Sequence, residues 1–183
     1  MRAARFHAPG KPLTIEEITV PPPGSGEARV AVKGCGICGT DLHIAVEGSI
    51  QLPKTPITLG HEAAGVVAEV GPGVSGWKPG DRVAIFPNVA CGACYPCREG
   101  REVLCLNAQV LGINRDGAFA DSITLPATCL LPLPEAVPFT VGAIVADAVS
   151  TAYRAVVGRG ALRSGERVAI FGCGGLGIHG IKI

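Results

Sequence analysis

The sequence is poor in aromatic residues and in charge of either sign. Aromatic residues make up 4% of the 183 positions and charged residues 17%, and the formal net charge is +1. A balance so close to zero provides no basic surface of the kind that binds nucleic acid or an anionic membrane. We therefore expect neither nucleic-acid nor membrane partners. The scarcity of aromatics, with 26 Gly and 15 Pro, favours short strands joined by tight turns over a helical bundle.

No secretory signal and no membrane span are evident in the sequence. Two arginines near the N-terminus, Arg2 and Arg5, are followed by no apolar run. The longest apolar stretch, 137–157, is interrupted by Asp147 and Arg154. We expect a cytoplasmic, reducing location, where the eight cysteines point to metal or redox chemistry before disulfides.

The arrangement of apolar residues changes once along the chain. Hydrophobic residues make up 48% of the sequence, which is enough for a core and excludes global disorder. Up to about residue 140, alternating apolar runs between Gly/Pro turns predict an antiparallel, barrel-like domain. The Ala-rich stretch 141–157 predicts one or two helices, and 167–171 predicts a strand. The strands predicted for the barrel are 13–20, 28–32, 64–70, 81–86, 118–125 and 128–131.

Four cysteines lie close together in the pattern C-x2-C-x2-C-x7-C. Tight turns at such gaps can bring three thiols to one point, and the fourth completes the tetrahedron that a structural zinc ion prefers. Two disulfides or four unrelated thiols are the alternatives, but four close thiols in a reducing compartment favour a metal. Four thiolates leave no open position for chemistry, so we predict a structural zinc. Its ligands are Cys91, Cys94, Cys97 and Cys105.

Two further segments carry potential metal ligands. GICGTDLH spans residues 36–43, and GHE spans residues 60–62. By itself, a cysteine is more often a small buried apolar residue than a metal ligand. A single histidine usually has its ring nitrogens hydrogen-bonded within the protein. Together with the four-cysteine pattern that follows them, however, they occur in the order typical of zinc-containing medium-chain alcohol dehydrogenases. The sequence resembles that family over its whole length.

The resemblance implies a catalytic zinc held by Cys38, His61 and Asp147, with the fourth position open to water or substrate. Asp147 could instead cap the N-terminus of a helix. Asp41 would accept the free ring N–H of His61 and fix its tautomer, or it would stabilise its own turn. Glu62, next to His61, would either enter the zinc shell or remain beside it.

The resemblance also implies a reaction, the transfer of a hydride between an alcohol and NAD or NADP to give an aldehyde or ketone. Thr40 and His43 match the positions of the family's proton relay, although hydrogen bonds within their loop are the alternative. A glycine motif follows the predicted strand, where its turn would let the pyrophosphate approach a helix N-terminus. The predicted coenzyme-binding residues are Gly172, Gly174, Gly175 and Gly177.

The fold expected is mainly β plus α/β. A GroES-like barrel forms the catalytic domain over 1–140, with a structural zinc lobe at 88–107. A helical connector (141–163) and the truncated start of a Rossmann coenzyme domain (164–183) follow. The residue that distinguishes NAD from NADP lies about 20 positions past such a glycine motif, which leaves that choice open here.

We expect this chain to be the N-terminal portion of a longer, homo-oligomeric dehydrogenase acting on a small alcohol or carbonyl compound. The alternative is a non-catalytic zinc-binding fragment without coenzyme binding. The zinc-free quinone-reductase branch of the superfamily is disfavoured, because it would have no use for Cys38, His61 and the four clustered cysteines.

Overall fold

The computed structural model describes residues 1–183, which form ten strands and four helices joined by loops and short 3-10 turns. The strands are β1 (Arg2–Phe6), β2 (Thr14–Glu17), β3 (Glu27–Gly36), β4 (Ile57–Thr58), β5 (Glu62–Val70), β6 (Arg82–Ile85), β7 (Asn88–Val89), β8 (Gln109–Val110), β9 (Ser122–Pro126) and β10 (Leu130–Pro132). The helices are α1 (Gly39–Leu42, continued by a π-helical turn over His43–Glu47), α2 (Tyr95–Arg98), α3 (Phe139–Arg159) and α4 (Gly175–Lys182). The 3-10 turns are Glu102–Leu104 and Ala127–Cys129.

Two antiparallel sheets form the body of the molecule. One has five strands in the order β10-β6-β5-β3-β9, and the other has three in the order β2-β1-β4. The segment 118–121 connects them, because its carbonyl groups accept hydrogen bonds from both sheets. Ala4 of β1 donates to Phe119 over 2.7 Å, and Val32 of β3 donates to Asp121 over 3.0 Å. The predicted barrel-like, GroES-type fold is confirmed.

The core follows from strand periodicity. Successive side chains of a strand point to opposite faces, so alternating apolar residues bury one face. In β3 this buries Ala28 and Val30, and in β9 it buries Ile123 and Leu125. Thirteen buried residues form the main cluster, drawn chiefly from the five-stranded sheet and the segments beside it.

The cysteine-rich lobe extends from the body at a two-stranded ladder. Asn88 of β7 pairs with Val110 of β8, and Val89 pairs with Gln109. The residues between these strands include α2 and all four clustered cysteines. The ladder thus closes the base of the lobe and fixes the two ends of the cysteine segment side by side.

Helix α3 connects the barrel with the C-terminal residues, as the Ala-rich stretch predicts. It contains two π-helical stretches, Val145–Val149 and Arg154–Arg159. Its first turns pack on β3 and β5, where Ala143 is buried in a small apolar cluster. By length and composition alone α3 could cross a membrane, a test that core helices of globular proteins also pass.

The strand predicted at 167–171 is not formed. Strand structure requires ladder hydrogen bonds to a neighbour, and no other strand of the chain pairs with this segment. Its apolar side chains remain largely open, Phe171 being 97% exposed. The glycine turn after it is nevertheless built. Gly172 has a φ of +93°, and a Cβ on Gly177 would overlap the carbonyl oxygen of Gly172.

Candidate active site

The first potential ligand, Cys38, lies where β3 gives way to α1. It is the N-cap of α1, with extended backbone (φ −87°, ψ 157°). The Asp41 carboxylate accepts the backbone N–H of Cys38 at 2.9 Å and that of Gly60 at 3.2 Å. Asp41 is buried, and it therefore ties the cysteine loop to the segment that carries His61. The hydrogen bond predicted from the His61 ring to Asp41 is wrong: Nδ1 lies 4.0 Å from Oδ1 and has no partner.

Both oxygens of Asp41 accept backbone N–H groups instead, Oδ2 from Cys38 and Oδ1 from Gly60. The bond from Cys38 belongs to the capping box of α1, which orients this carboxylate. The hydrogen bonds of Asp41 fit the alternative prediction better, in which this residue stabilises its own turn. Asp41 also reaches beyond that turn, since Gly60 belongs to a segment distant in sequence.

His61 is directed into the site by the glycine before it. Gly60 has a φ of +90°, in the region that side chains other than glycine's rarely adopt. A Cβ at this position would lie 2.5 Å from the Phe119 ring. This turn leaves His61 buried, with 5% of its surface exposed.

Asp147 lies within the π-helical turn of α3, and the N-cap alternative for it is wrong because the helix has already run for several residues. Its Oδ2 lies 3.3 Å from His61 Nε2 and 3.9 Å from Cys38 Sγ. The three ligand atoms all lie within 4.8 Å of one another. The Thr151 hydroxyl, one turn further along, donates to Asp147 Oδ1 at 3.0 Å. The sequence reading did not identify Thr151, although its i+4 spacing from Asp147 was a signal.

The charges of these groups depend on one another. Burial alone would lower the pKa of His61, but its hydrogen bonds to Asp147 and Cys38 raise that pKa to about 9. The same hydrogen bond from His61 holds the pKa of Asp147 below its usual value. A cation at this position would be stabilised by the same groups, because they present anionic and lone-pair donors to one point.

Glu62 lies beside the three convergent ligands but is not one of them. It is 4% exposed, and burial followed by the charge of Asp147 raises its carboxyl pKa. A Cβ on Gly36 would overlap Glu62 Oε2 and lie 3.0 Å from Ile144. Gly36 therefore provides the space for this carboxylate, a role the sequence reading did not assign.

A cleft of about 760 Å³ joins this site to the glycine turn. Cys38 and Asp147 line it, as do the predicted relay residues Thr40 and His43. Thr40 Oγ1 lies 3.7 Å from Cys38 Sγ. His43 is bonded instead to a residue of its own helix, with Nδ1 2.8 Å from the Glu47 carboxylate. The lining also includes all four predicted coenzyme-binding residues, Gly172, Gly174, Gly175 and Gly177.

The four clustered cysteines converge in the lobe. All four sulfur atoms lie within 4.8 Å of one another, with Cys94 Sγ 3.4 Å from Cys97 and 3.8 Å from Cys105. Every cysteine of the chain is free, so the disulfide alternative is not realised. Backbone N–H groups of Ala93 and Cys94 lower the pKa of Cys91 to about 6, whereas burial raises that of Cys97 to about 12.

Both groups have the dimensions of tetrahedral metal sites. A zinc ion with ligands at about 2.3 Å (S) or 2.0–2.1 Å (N and O) requires ligand-to-ligand edges of about 3.8 Å or 3.3 Å. The 3.8 Å between Cys94 and Cys105 and the 3.3 Å between His61 and Asp147 match these edges, and the 3.4 Å between Cys94 and Cys97 is somewhat shorter. The fit rests on the convergence of the ligand atoms in each group, which includes one buried residue, Cys97 in the lobe and His61 in the other.

Comparison with known proteins gives a consistent result. Residues 24–135 match the model of the alcohol dehydrogenase GroES-like domain. An alcohol dehydrogenase of Geobacillus stearothermophilus is 42% identical over 97% of this chain and 52% of its own length. An L-threonine 3-dehydrogenase of Pyrococcus horikoshii is 38% identical over 96% of this chain and 50% of its own length. The chain thus spans about half the length of these curated relatives.

Solved structures agree. A crystal structure of an NAD-dependent alcohol dehydrogenase superposes on all of this chain with a TM-score of 0.92 at 35% identity, covering 54% of that structure. A cobalt- and zinc-bound thermostable alcohol dehydrogenase from Pyrobaculum aerophilum gives 0.90 at 32% identity, again over all of this chain and 55% of its own. The resemblance inferred from the motifs is confirmed, and the chain belongs to the family of the alcohol dehydrogenase GroES-like domain.

Proposed function

We propose that this chain is the zinc-binding catalytic portion of an oxidoreductase that transfers a hydride between an alcohol and NAD or NADP. The observation that carries the proposal is the cleft of about 760 Å³. It is lined on one side by Cys38 and Asp147 and on the other by the glycine turn 172–177. A substrate held near Cys38 and Asp147 would therefore meet a coenzyme held at the glycine turn within one cavity.

Cys38, His61 and Asp147 would hold the catalytic zinc. A bound zinc ion supplies Lewis acidity, which favours ionisation of an alcohol and polarises a carbonyl group for reduction. The thiolate and the carboxylate together balance its two positive charges, while neutral His61 adds a third donor. Thr151 would keep the Asp147 carboxylate in orientation through the 3.0 Å hydrogen bond to Oδ1. Glu62 would remain beside this set as a buried second carboxyl group.

The proton of the alcohol must leave a narrow cleft. Thr40 lies beside Cys38, and its hydroxyl can accept a proton from substrate while donating its own onward. His43 is half exposed at the solvent end of the cleft, so its ring can exchange a proton with water. The Glu47 carboxylate, 2.8 Å from Nδ1, orients the ring.

The coenzyme would bind at the N-terminal end of α4. A Cβ on Gly174 or Gly175 would have no heavy atom within 4 Å, so the backbone there is open to a ligand. Unpaired N–H groups and the helix dipole make this end attractive to a pyrophosphate. The terminal region 164–183 would serve as the start of the coenzyme domain, after a connector at 141–163.

The lobe at 88–107 would hold a second, structural zinc through Cys91, Cys94, Cys97 and Cys105. We infer that this ion organises the lobe, because closed four-thiolate sites contribute folding free energy and leave no position for substrate. The substrate would be a small alcohol or the corresponding carbonyl compound.

Metal analysis tests the assignment. We expect two zinc ions per chain in the purified protein and one in the Cys38→Ser variant. Cys35→Ser is the matched control: it lies three positions away, is half buried, and belongs to neither ligand group. In the protein that carries this chain, Cys38→Ser should also abolish alcohol-dependent reduction of NAD or NADP, followed by absorbance. Two zinc ions in Cys38→Ser would overturn the assignment.

A further inference from the structure

A second cleft, of about 650 Å³, lies between the cysteine-rich lobe and α3. It shares only two lining residues with the first cleft, Asp147 and Thr151. Asp147, one of the predicted metal ligands, and Thr151 thus form the wall between the two clefts. A substrate whose reacting oxygen binds at the metal site beside Asp147 can therefore extend into the second cleft. The first cleft would remain free for the coenzyme.

The second cleft carries an excess of positive charge. Arg101 of the lobe and Arg154 of α3 both line it, and Asp147 is its only lining carboxylate. Neither guanidinium makes a hydrogen bond or an ion pair within the chain. The acidic residues nearest to Arg101 in sequence, Glu99 and Glu102, neither pair with it nor line the cleft.

Arg154 lies on the face of α3 that carries Asp147. Asp147, Thr151, Arg154 and Gly158 all line the cleft, so they share the side of the helix that borders it. The Arg154 stem passes over Gly158, where a Cβ would lie 2.9 Å from Arg154 Cδ. Glycine at this position therefore leaves room for the guanidinium to lie along the helix.

Because zinc with a thiolate and a carboxylate is neutral overall, the two guanidinium groups would remain uncompensated in the occupied site. Arginine binds the oxygens of carboxylates and phosphates through paired N–H groups. The hydroxyl groups of Ser150 and Tyr153 and the amide of Asn88 add further polar lining. A neutral, apolar alcohol would offer the two guanidinium groups no charged partner.

From this arrangement we infer that the substrate is a small hydroxy compound that also carries an oxyanion, a carboxylate or a phosphate, bound by Arg101 and Arg154. The inference deepens the proposed function and rests on it for the position of the reacting oxygen. The anionic group binds on the lobe side of Asp147, and the hydroxyl group points toward Cys38 and His61.

Calorimetric titration of the zinc-loaded chain tests this. Glycerate and glycerol 3-phosphate are the anionic probes, which distinguish carboxylate from phosphate, and glycerol is the neutral probe of the same backbone. We expect at least one anion to bind at least about tenfold more tightly than glycerol. Arg101→Gln and Arg154→Gln should each weaken that binding by about fivefold or more, since partly exposed charge pairs contribute about 1 kcal/mol.

Arg98→Gln and Arg159→Gln are the matched controls, because Arg98 lies in the same lobe as Arg101, Arg159 lies on the same helix as Arg154, and neither lines a cleft. Both should change binding less than about twofold. The inference is overturned if glycerol binds as tightly as the anions, if the double variant at 101 and 154 binds them unchanged, or if the controls weaken binding equally.

The zinc content of each variant separates this result from the proposed function. Loss of arginine-dependent binding with two zinc ions retained would overturn only the inference about the substrate. A chain that binds one zinc or none would instead contradict the catalytic site, whatever its affinity for anions. Anion binding that requires zinc but neither arginine would show direct ligation to the metal and would also overturn the inference.

Discussion

Replacing Gly60 by alanine tests how the barrel directs His61 into the metal site. The substitution adds one methyl group at a position with a φ of +90°. That backbone region costs a residue with a Cβ about 1–2 kcal/mol. The new Cβ would also lie 2.5 Å from the Phe119 ring, and overpacking of this kind costs about 1–3 kcal/mol. We therefore expect the free energy of unfolding to fall by about 2–5 kcal/mol.

Gly76→Ala separates the two contributions. Gly76 has a φ of +83°, close to that of Gly60, but a Cβ there would have no heavy atom within 4 Å. The free energy of unfolding of Gly76→Ala should therefore fall only by the backbone contribution, about 1–2 kcal/mol. Urea unfolding of the two variants, with equal m-values, gives the difference directly.

A second measurement follows the site itself. Relief of the overlap in Gly60→Ala requires Phe119 or the 60–61 backbone to move, which shifts His61 relative to Asp147. We expect weaker zinc binding at the Cys38 site in Gly60→Ala and unchanged binding in Gly76→Ala. Equal destabilisation of the two variants, with unchanged zinc affinity in both, would refute the steric reasoning.

Three further substitutions give expected results. Thr151→Val removes the hydroxyl that bonds Asp147 Oδ1 and should weaken zinc binding at the catalytic site about 10- to 100-fold in a chelator competition. Gly177→Ala places a Cβ on the carbonyl oxygen of Gly172, so it should unfold the glycine turn, seen as lost α4 helicity, and abolish coenzyme binding. Cys94→Ser should release one zinc and make the lobe susceptible to proteolysis, because three thiolates no longer close the tetrahedron.

Each of these has a control in the chain. Ser150→Ala removes a hydroxyl that bonds only the Asp147 backbone carbonyl, and it should leave zinc affinity unchanged. Gly174→Ala adds a Cβ in open space, so helicity should persist even where coenzyme binding is lost. Cys173→Ser changes an exposed thiol outside both ligand groups and should retain two zinc ions. A control that behaves like its partner would contradict the corresponding role.

Much of the barrel was predictable because its strands bury one face only, so apolar and polar residues alternate along them. The strands predicted at 28–32, 64–70 and 81–86 correspond to β3, β5 and β6, which form the centre of the larger sheet. β1 was not predicted, because Arg2–Phe6 carries two arginines and short alanines that give no clear alternation. The two-residue strands β4, β7 and β8 are too short for any pattern to indicate.

The failure at 167–171 has a different cause. The apolar pattern there is that of a buried strand, but a strand also needs a neighbour, which local sequence does not reveal. The convergence of the proposed ligands could be predicted, because motif order indicated the family and spacing indicated the lobe. The environment of these ligands could not be predicted from the sequence. The backbone hydrogen bonds to Asp41 and the hydrogen bond from Thr151 to Asp147 arise only on folding.

Helix α3 has a consequence that reaches beyond the metal site. It packs on β3 and β5 through its first turns and on α4 through its middle, Val145–Tyr153, the stretch that carries Asp147 and borders both clefts. A tilt of α3 that widens one cleft would narrow the other, and it would displace Asp147 at the same time. If the two clefts bind substrate and coenzyme as proposed, binding in one would therefore be felt in the other through the position of α3.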